Sequence, residues 1–347
     1  MIALARYAAT NAIIRTLLSD LLAKKDYQSI TSAQSVDGAW AELRKTCYGR
    51  WIPEEAPRDL LGIERILSYA SVEHFRRSLK LLKGKPLNVA NLLLSRWELD
   101  DLEFALRIWH GGEKNLARHL TFATLVHDVP IYEVVEAESI DAVALALRHT
   151  PYFEPIARAI PRYKAKKSIF YVEIELEKDY YSRLCFAISE LGGMDAKNGL
   201  KIVSAEIDLT NLMLMRRLVE YFNVEISSLK DYAIPGGSQI SESVISGEVT
   251  KDNLVEIEGK LIEKKSASPS HRDRLSSISA LEGFVRMISI QAATRALVAY
   301  PFTINCVFAF YLLKRNELQN LRTIFSAAVL GVEQSKVMSM LHGVDLE

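Results

Sequence analysis

The sequence predicts an all-α protein built from three related helical units, and three observations carry that prediction. Apolar residues recur at intervals of three and four between strong helix formers along most of the chain, as in Leu17, Leu18, Leu21 and Leu22. The pattern Glu98-Leu99-x-Asp101-Leu102 returns as Asp208-Leu209-x-Asn211-Leu212 and as Glu317-Leu318-x-Asn320-Leu321, with starts 110 and then 109 residues apart. A second pattern, Val36-Asp37, Leu43-Arg44, Thr46 and Tyr48, recurs as Ile140-Asp141, Leu147-Arg148, Thr150 and Tyr152, every matched pair 104 residues apart. Two patterns with similar offsets argue for a concatenation of units of roughly 110 residues about a pseudo-threefold axis.

The boundaries follow composition: unit one spans residues 1–120, unit two 121–224 and unit three 225–347. The third unit is the most diverged, its copy of the second pattern reduced to Asp252 and Leu261. Within unit one, Ser95-x-x-Glu98 has the form of a capping box, which predicts a helix start there, and Gly111-Gly112 is a stop. In unit two, Arg162 to Lys167 is a basic cluster that reads as an exposed connection. Ile169 to Leu176 alternates strongly enough to be the best strand candidate. Lys264 to Arg274, rich in serine and charge, reads as a second solvated connection.

Ala296 to Leu313 holds eighteen residues without a charge. A membrane span wants about 20 predominantly apolar residues. Pro301, Thr303 and Asn305 interrupt this stretch, so a buried helix broken near Pro301 is predicted instead. The start, Met-Ile-Ala-Leu-Ala-Arg, has too short an apolar run to form a secretory signal.

Composition narrows the function classes. At 347 residues, the chain exceeds the size at which single cores stop growing. Forty-three basic residues balance forty-three acidic ones, so no global field marks a nucleic-acid binder. Cys47, Cys185 and Cys306 have neither disulfide-framework nor zinc spacing, which fits a reducing, cytosolic setting.

The motifs of chemistry are missing. The chain contains no GxxxxGK[ST], GxGxxG, GxSxG or HExxH. Its seven histidines show no pairing at helical spacing, which argues against a metal site. Glu98 and Asp101 would share a helical face and, with His127, are a candidate trio for general acid–base work; His127-Asp128 is a local pair, but adjacent residues point in different directions. The equivalent pairs are Asp208 with Asn211 and Glu317 with Asn320, however, so what recurs is hydrogen-bonding capacity rather than titratability. These six residues are predicted either to satisfy backbone groups inside their own units or to face a partner.

The run Tyr311-Leu312-Leu313-Lys314-Arg315-Asn316-Glu317-Leu318-Gln319-Asn320-Leu321-Arg322 resembles a segment of the rotary ATPase component designated C in archaeal-type enzymes and d in vacuolar ones. Glu173-Ile174-Glu175-Leu176 before Asp179-Tyr180-Tyr181, the run from Asp208 to Arg217, Ile234-Pro235-Gly236-Gly237 and the region from Tyr7 to Leu18 resemble that family in the same order. Two departures are Asp101, where asparagine is common, and Ser326-Ala327-Ala328 in place of a basic end.

The resemblance implies a non-catalytic adaptor without cofactor: a funnel of three helical wedges on the cytoplasmic face of the membrane. Its base would sit on the proteolipid ring and its socket would receive the central shaft. No nucleic acid and no small-molecule substrate of its own is implied, and the six repeat positions become candidates for facing the shaft. The alternative from the repeats alone is a helical scaffold for a soluble protein partner.

Overall fold

In the computed structural model the described residues are 2–33, 35–122, 124–222, 226–237, 278–298 and 302–344. Thirteen α-helices lie among them, and no strand; the nearest approach to a sheet is an isolated antiparallel bridge between Thr124 and Asp128. Packing divides the chain into two compact units, one of Met1–Leu176 with Tyr300–Glu347 and one of Glu177–Ala299.

In the first compact unit the order is α1 (Ile2–Leu18), α2 (Lys24–Ser32), α3 (Val36–Leu43), α4 (Leu60–Ser78), α5 (Gly84–Gly111), α6 (Ile131–Glu136), α7 (Ile140–Ala146) and α8 (Phe153–Lys166). Helix α9 (Phe170–Ser189) leads out of it; α12 (Asn305–Leu330) and α13 (Gln334–Met340) complete it. Helix α12 lies against α4, α1 and α3, so residues more than two hundred positions apart share one core. The reason is legible in α4, where Ile63, Leu67, Ala70, His74 and Phe75 bury one face at helical spacing. Phe75 meets Phe310 and Tyr311 of α12, and Tyr311 meets Trp97 of α5 edge-on at 5.4 Å between ring centroids.

The second compact unit holds α10 (Gly193–Phe222), which packs against α11 (Ile278–Val298) through Leu209, Phe284 and Ile288. Arg217 and Glu282 pair across the same two helices.

Three expectations are corrected. Residues 170–176 are the first two turns of α9, not a strand. Val172, Leu176, Tyr180 and Leu184 are buried four residues apart, and this longer period outweighs the local alternation. Ser95 does not cap a helix start: it lies in the middle of the 28-residue α5, its hydroxyl donating to the Leu92 carbonyl at 2.9 Å. Residues 162–166 form the last turn of α8 rather than a loop, and Lys167 closes it in the left-handed conformation at φ 51°. Their positive charge complements the carbonyl end of that helix, while Tyr163 turns inward.

Gly112 ends α5 at φ 73°, a conformation a side chain would strain, so Gly111-Gly112 is a stop as read. Of the uncharged stretch from Ala296 to Leu313, residues 296–298 end α11 and residues 305–313 open α12; Pro301 lies outside the described residues. Among the described residues no helix is long and apolar enough to cross a membrane. Asp252, Leu261 and residues 264–274 also lie outside the described residues.

Candidate functional site

Each copy of the first pattern lies within one of the longest helices, α5, α10 or α12, of 28, 30 and 26 residues. The two full copies of the second pattern are each a short helix followed by a tight turn. Ser35 caps α3 by accepting from the Gly38 N–H at 3.1 Å, and Ser139 caps α7 by accepting from Ala142 at 3.2 Å. Both helices end in the same way: Thr46 donates to Leu43 and Thr150 to Leu147, at 2.7 and 2.8 Å. The same hydroxyls each accept, at 3.3 Å, from the backbone N–H two residues on, of Tyr48 and Tyr152. The turn thereby aims the tyrosine.

The two patterns meet. Tyr152 donates its hydroxyl to Glu98 at 2.7 Å, and Tyr48 donates to Glu317 at 2.7 Å. Glu98 is 0% exposed; its other oxygen accepts from the backbone N–H groups of Val126 and His127 at 2.8 and 2.9 Å. Glu317 likewise accepts from Leu22 at 2.7 Å. A carboxylate in the middle of a long helix is thus an anchor for a backbone turn and a tyrosine-bearing module. Asp208, the third member, is also buried.

The residues three positions on form a second row. Asn320 accepts from the His342 N–H at 3.2 Å and donates to the His342 carbonyl at 2.8 Å. Asn211 holds Ile234 through the same two bonds, each 2.8 Å. Asp101, which lacks the amide donor, accepts from two N–H groups instead, Thr121 at 2.5 Å and Phe122 at 2.6 Å. An asparagine side chain reproduces both halves of a peptide group, whereas a carboxylate offers only acceptors.

Counter-cations differ between anchors. Lys314, 0% exposed, bonds Glu317 at 2.5 Å and the Tyr48 hydroxyl at 2.9 Å, so the third copy contains a buried ion pair. Burial, reinforced by Glu317, raises the Tyr48 phenol well above its ordinary value and keeps it a donor. Burial, then Lys314, lowers His74 beside this cluster to about 2, so it is neutral. At Glu98 the partner in place of a lysine is the His127 imidazole, with Nδ1 at 2.7 Å from the carboxylate. Burial alone would raise Glu98, but bonds from His127, Tyr152 and Val126 prevail and lower it.

Of the acid–base trio, Glu98 and His127 come together, while Asp101 attends to a different segment. Asp101 lines a cavity of about 310 Å³ with Glu64, Asp100, His119, Arg315 and Arg322. There burial raises it to about 6 despite its two backbone bonds, with Asp100 and Glu64 adding to the rise. Arg315 joins Asp100 at 2.6 Å and Arg322 pairs with Glu64, tying α12 to α5 and α4.

Sequence reasoning missed the tyrosines, Lys314, Asp100 and the two arginines. The available signal was that Tyr48 and Tyr152 recur with the same offset as the acids they meet.

Residues 10–340 match the family model described as ATP synthase (C/AC39) subunit. The chain is 20% identical to the C subunit of the A-type ATP synthase of Pyrococcus abyssi, over 96% of this chain and 90% of that protein. It is 22% identical to the C subunit of the Methanosphaera stadtmanae enzyme, over 96% and 87%. With that of Methanocaldococcus jannaschii it shares 20% identity, over 98% and 87%.

Proposed function

The chain belongs to the ATP synthase (C/AC39) subunit family, and from that premise we propose that it is the central-stalk adaptor of an A/V-type rotary ATPase, joining the rotating shaft to the membrane proteolipid ring. It is an accessory subunit rather than a catalytic one, and its relatives are named as the C subunit of A-type ATP synthases. The observation that carries the reading is a family match running from residue 10 to residue 340, so the likeness is to a whole subunit and not to one shared module.

The anchors supply a physical reason why such a chain suits the task. A part that transmits torque must not shear between its helices. Buried carboxylates that each tie a long helix to a distant turn and a tyrosine make that shear costly, because every bond broken would strand a buried polar group. Three helical units at 1–120, 121–224 and 225–347, set around a pseudo-threefold axis as a funnel, would present a narrow socket and a broad base at the cytoplasmic face of the membrane. In this reading the six repeat positions Glu98, Asp101, Asp208, Asn211, Glu317 and Asn320 hold the units together instead of facing the shaft.

The test is affinity purification of the tagged chain from native membranes with identification of the bound subunits. Recovery of proteolipid ring and shaft subunits is the expected result. Failure to bind either purified partner, or capture of a soluble partner with no membrane association, would overturn the adaptor role in favour of a scaffold.

A further inference from the structure

The anchors at Glu98 and Glu317 share a tyrosine and a backbone turn but not a cation. Lys314 stands three residues before Glu317 on the same helix, an ammonium group enclosed with its acid. The matching position before Glu98 is Ser95, occupied with the Leu92 carbonyl, so α5 brings no cation of its own there. The partner comes instead from the turn that the carboxylate holds, as the imidazole of His127.

Imidazole is the side chain whose charge ordinarily changes between about pH 5 and pH 8. The His127 side chain is 28% exposed, so protons reach it without any opening of the turn. The groups around it are few. Glu98 faces it from α5, and the Tyr152 hydroxyl shares the same carboxylate oxygen, with the two rings edge-on at 5.8 Å. From α4, Arg76 donates to the Leu125 carbonyl at 3.2 Å and is itself paired with Glu73. Asp128 is next in the chain, and Asp101 holds the neighbouring Thr121 and Phe122.

We propose that Glu98 and His127 form an acid-tightened latch on the Thr124–Asp128 turn. With a neutral imidazole the turn is held by hydrogen bonds alone; with an imidazolium it is held by an ion pair to a buried carboxylate as well. The closed turn offers the protonated ring a partner that the open turn lacks, so acid favours closure, and the gain fades as pH rises. The α5 joint to the Tyr152 module therefore stiffens as the imidazole takes its proton, a gain that the Lys314-based joint at Glu317, which is bonded to no imidazole among the described residues, does not share.

Hydrogen exchange of the full chain tests this through the protection of the Val126 and His127 amides, corrected for intrinsic exchange. Because Asp101 titrates in an overlapping range, the comparison is made in a D101N background. Protection is expected to rise roughly two- to fivefold from pH 8 to pH 6, the contribution of one partly exposed ion pair added to bonds already made. The Leu22 amide, held by Glu317, serves as the unchanged reference. In H127Q, whose amide still donates but takes no proton, the rise should disappear. An unchanged rise in H127Q, or no rise with His127 present, overturns the latch. Should H127Q not fold, E98Q removes the charge while keeping the shape, and a pH response persisting there overturns it equally.

Discussion

Asp101 stands where the other two copies carry asparagine, and the difference has a measurable sign. Its folded value of about 6 lies above the ordinary 3.8, so the folded state holds its proton more tightly than the unfolded chain. The ionised carboxylate therefore costs stability above about pH 6, and the cost disappears as pH falls toward 4. Asp101→Asn is expected to stabilise the isolated chain by about 1–2 kcal/mol near pH 7.5, after discounting for its partial exposure, with the gap closing in acid. Thermal melts at several pH values check this; a variant no more stable than the parent at pH 7.5 would count against it. Lys314 sets the opposite expectation. Lys314→Met removes one half of a buried ion pair and leaves Glu317 uncompensated, which should cost about 3–5 kcal/mol in denaturant unfolding. Tyr48→Phe takes away only one donor and should cost about 1–3 kcal/mol.

At the scale of elements, the long helices and the short modules were legible because both carry repeated patterns. The polar pair at i and i+3 marks α5, α10 and α12, and Ser35 and Ser139 sit at the starts of the short helices that the second pattern marks. Three readings failed for a common reason: each relied on a window of a few residues. Ser95-x-x-Glu98 looked like a cap because local spacing cannot report that Glu98 is claimed by a turn 28 residues away. Ile169 to Leu176 alternates, yet the burial of Tyr180 and Leu184 fixes a helical period that an eight-residue window does not contain. Which tyrosine would meet which glutamate was not legible either, since pairing is set by packing between distant segments. The asparagine row gives a prediction at this scale. Replacing Asn211 or Asn320 by alanine removes the paired side-chain bonds to the backbone of Ile234 or His342, and each should cost about 1–3 kcal/mol in the isolated chain, less at His342, whose carbonyl keeps Asn316. Loss of assembly without that loss of thermal stability would show instead that these side chains serve a partner.

Over the whole chain, repeat order and bonding order are out of step. Tyr152 bonds Glu98, 54 residues before it, and Tyr48 bonds Glu317, 269 residues after it. Cα packing follows the bonds and places residues 300–347 with residues 1–176. A chain ended before α12 should therefore lack a cooperative first unit, because α1, α3 and α4 would all miss the helix they pack on. Calorimetry of such a truncation against the full chain decides it, and an intact, cooperative transition for the short form would be contrary evidence. The bond between Tyr48 and Glu317 also concerns how the protein is made. Synthesis runs from the amino end at about 5–20 residues per second, so Tyr48 leaves the ribosome many seconds before its acceptor exists. During that interval the apolar face of α4 is uncovered, and the nascent polypeptide offers chaperones a defined surface to shield until its last long helix emerges.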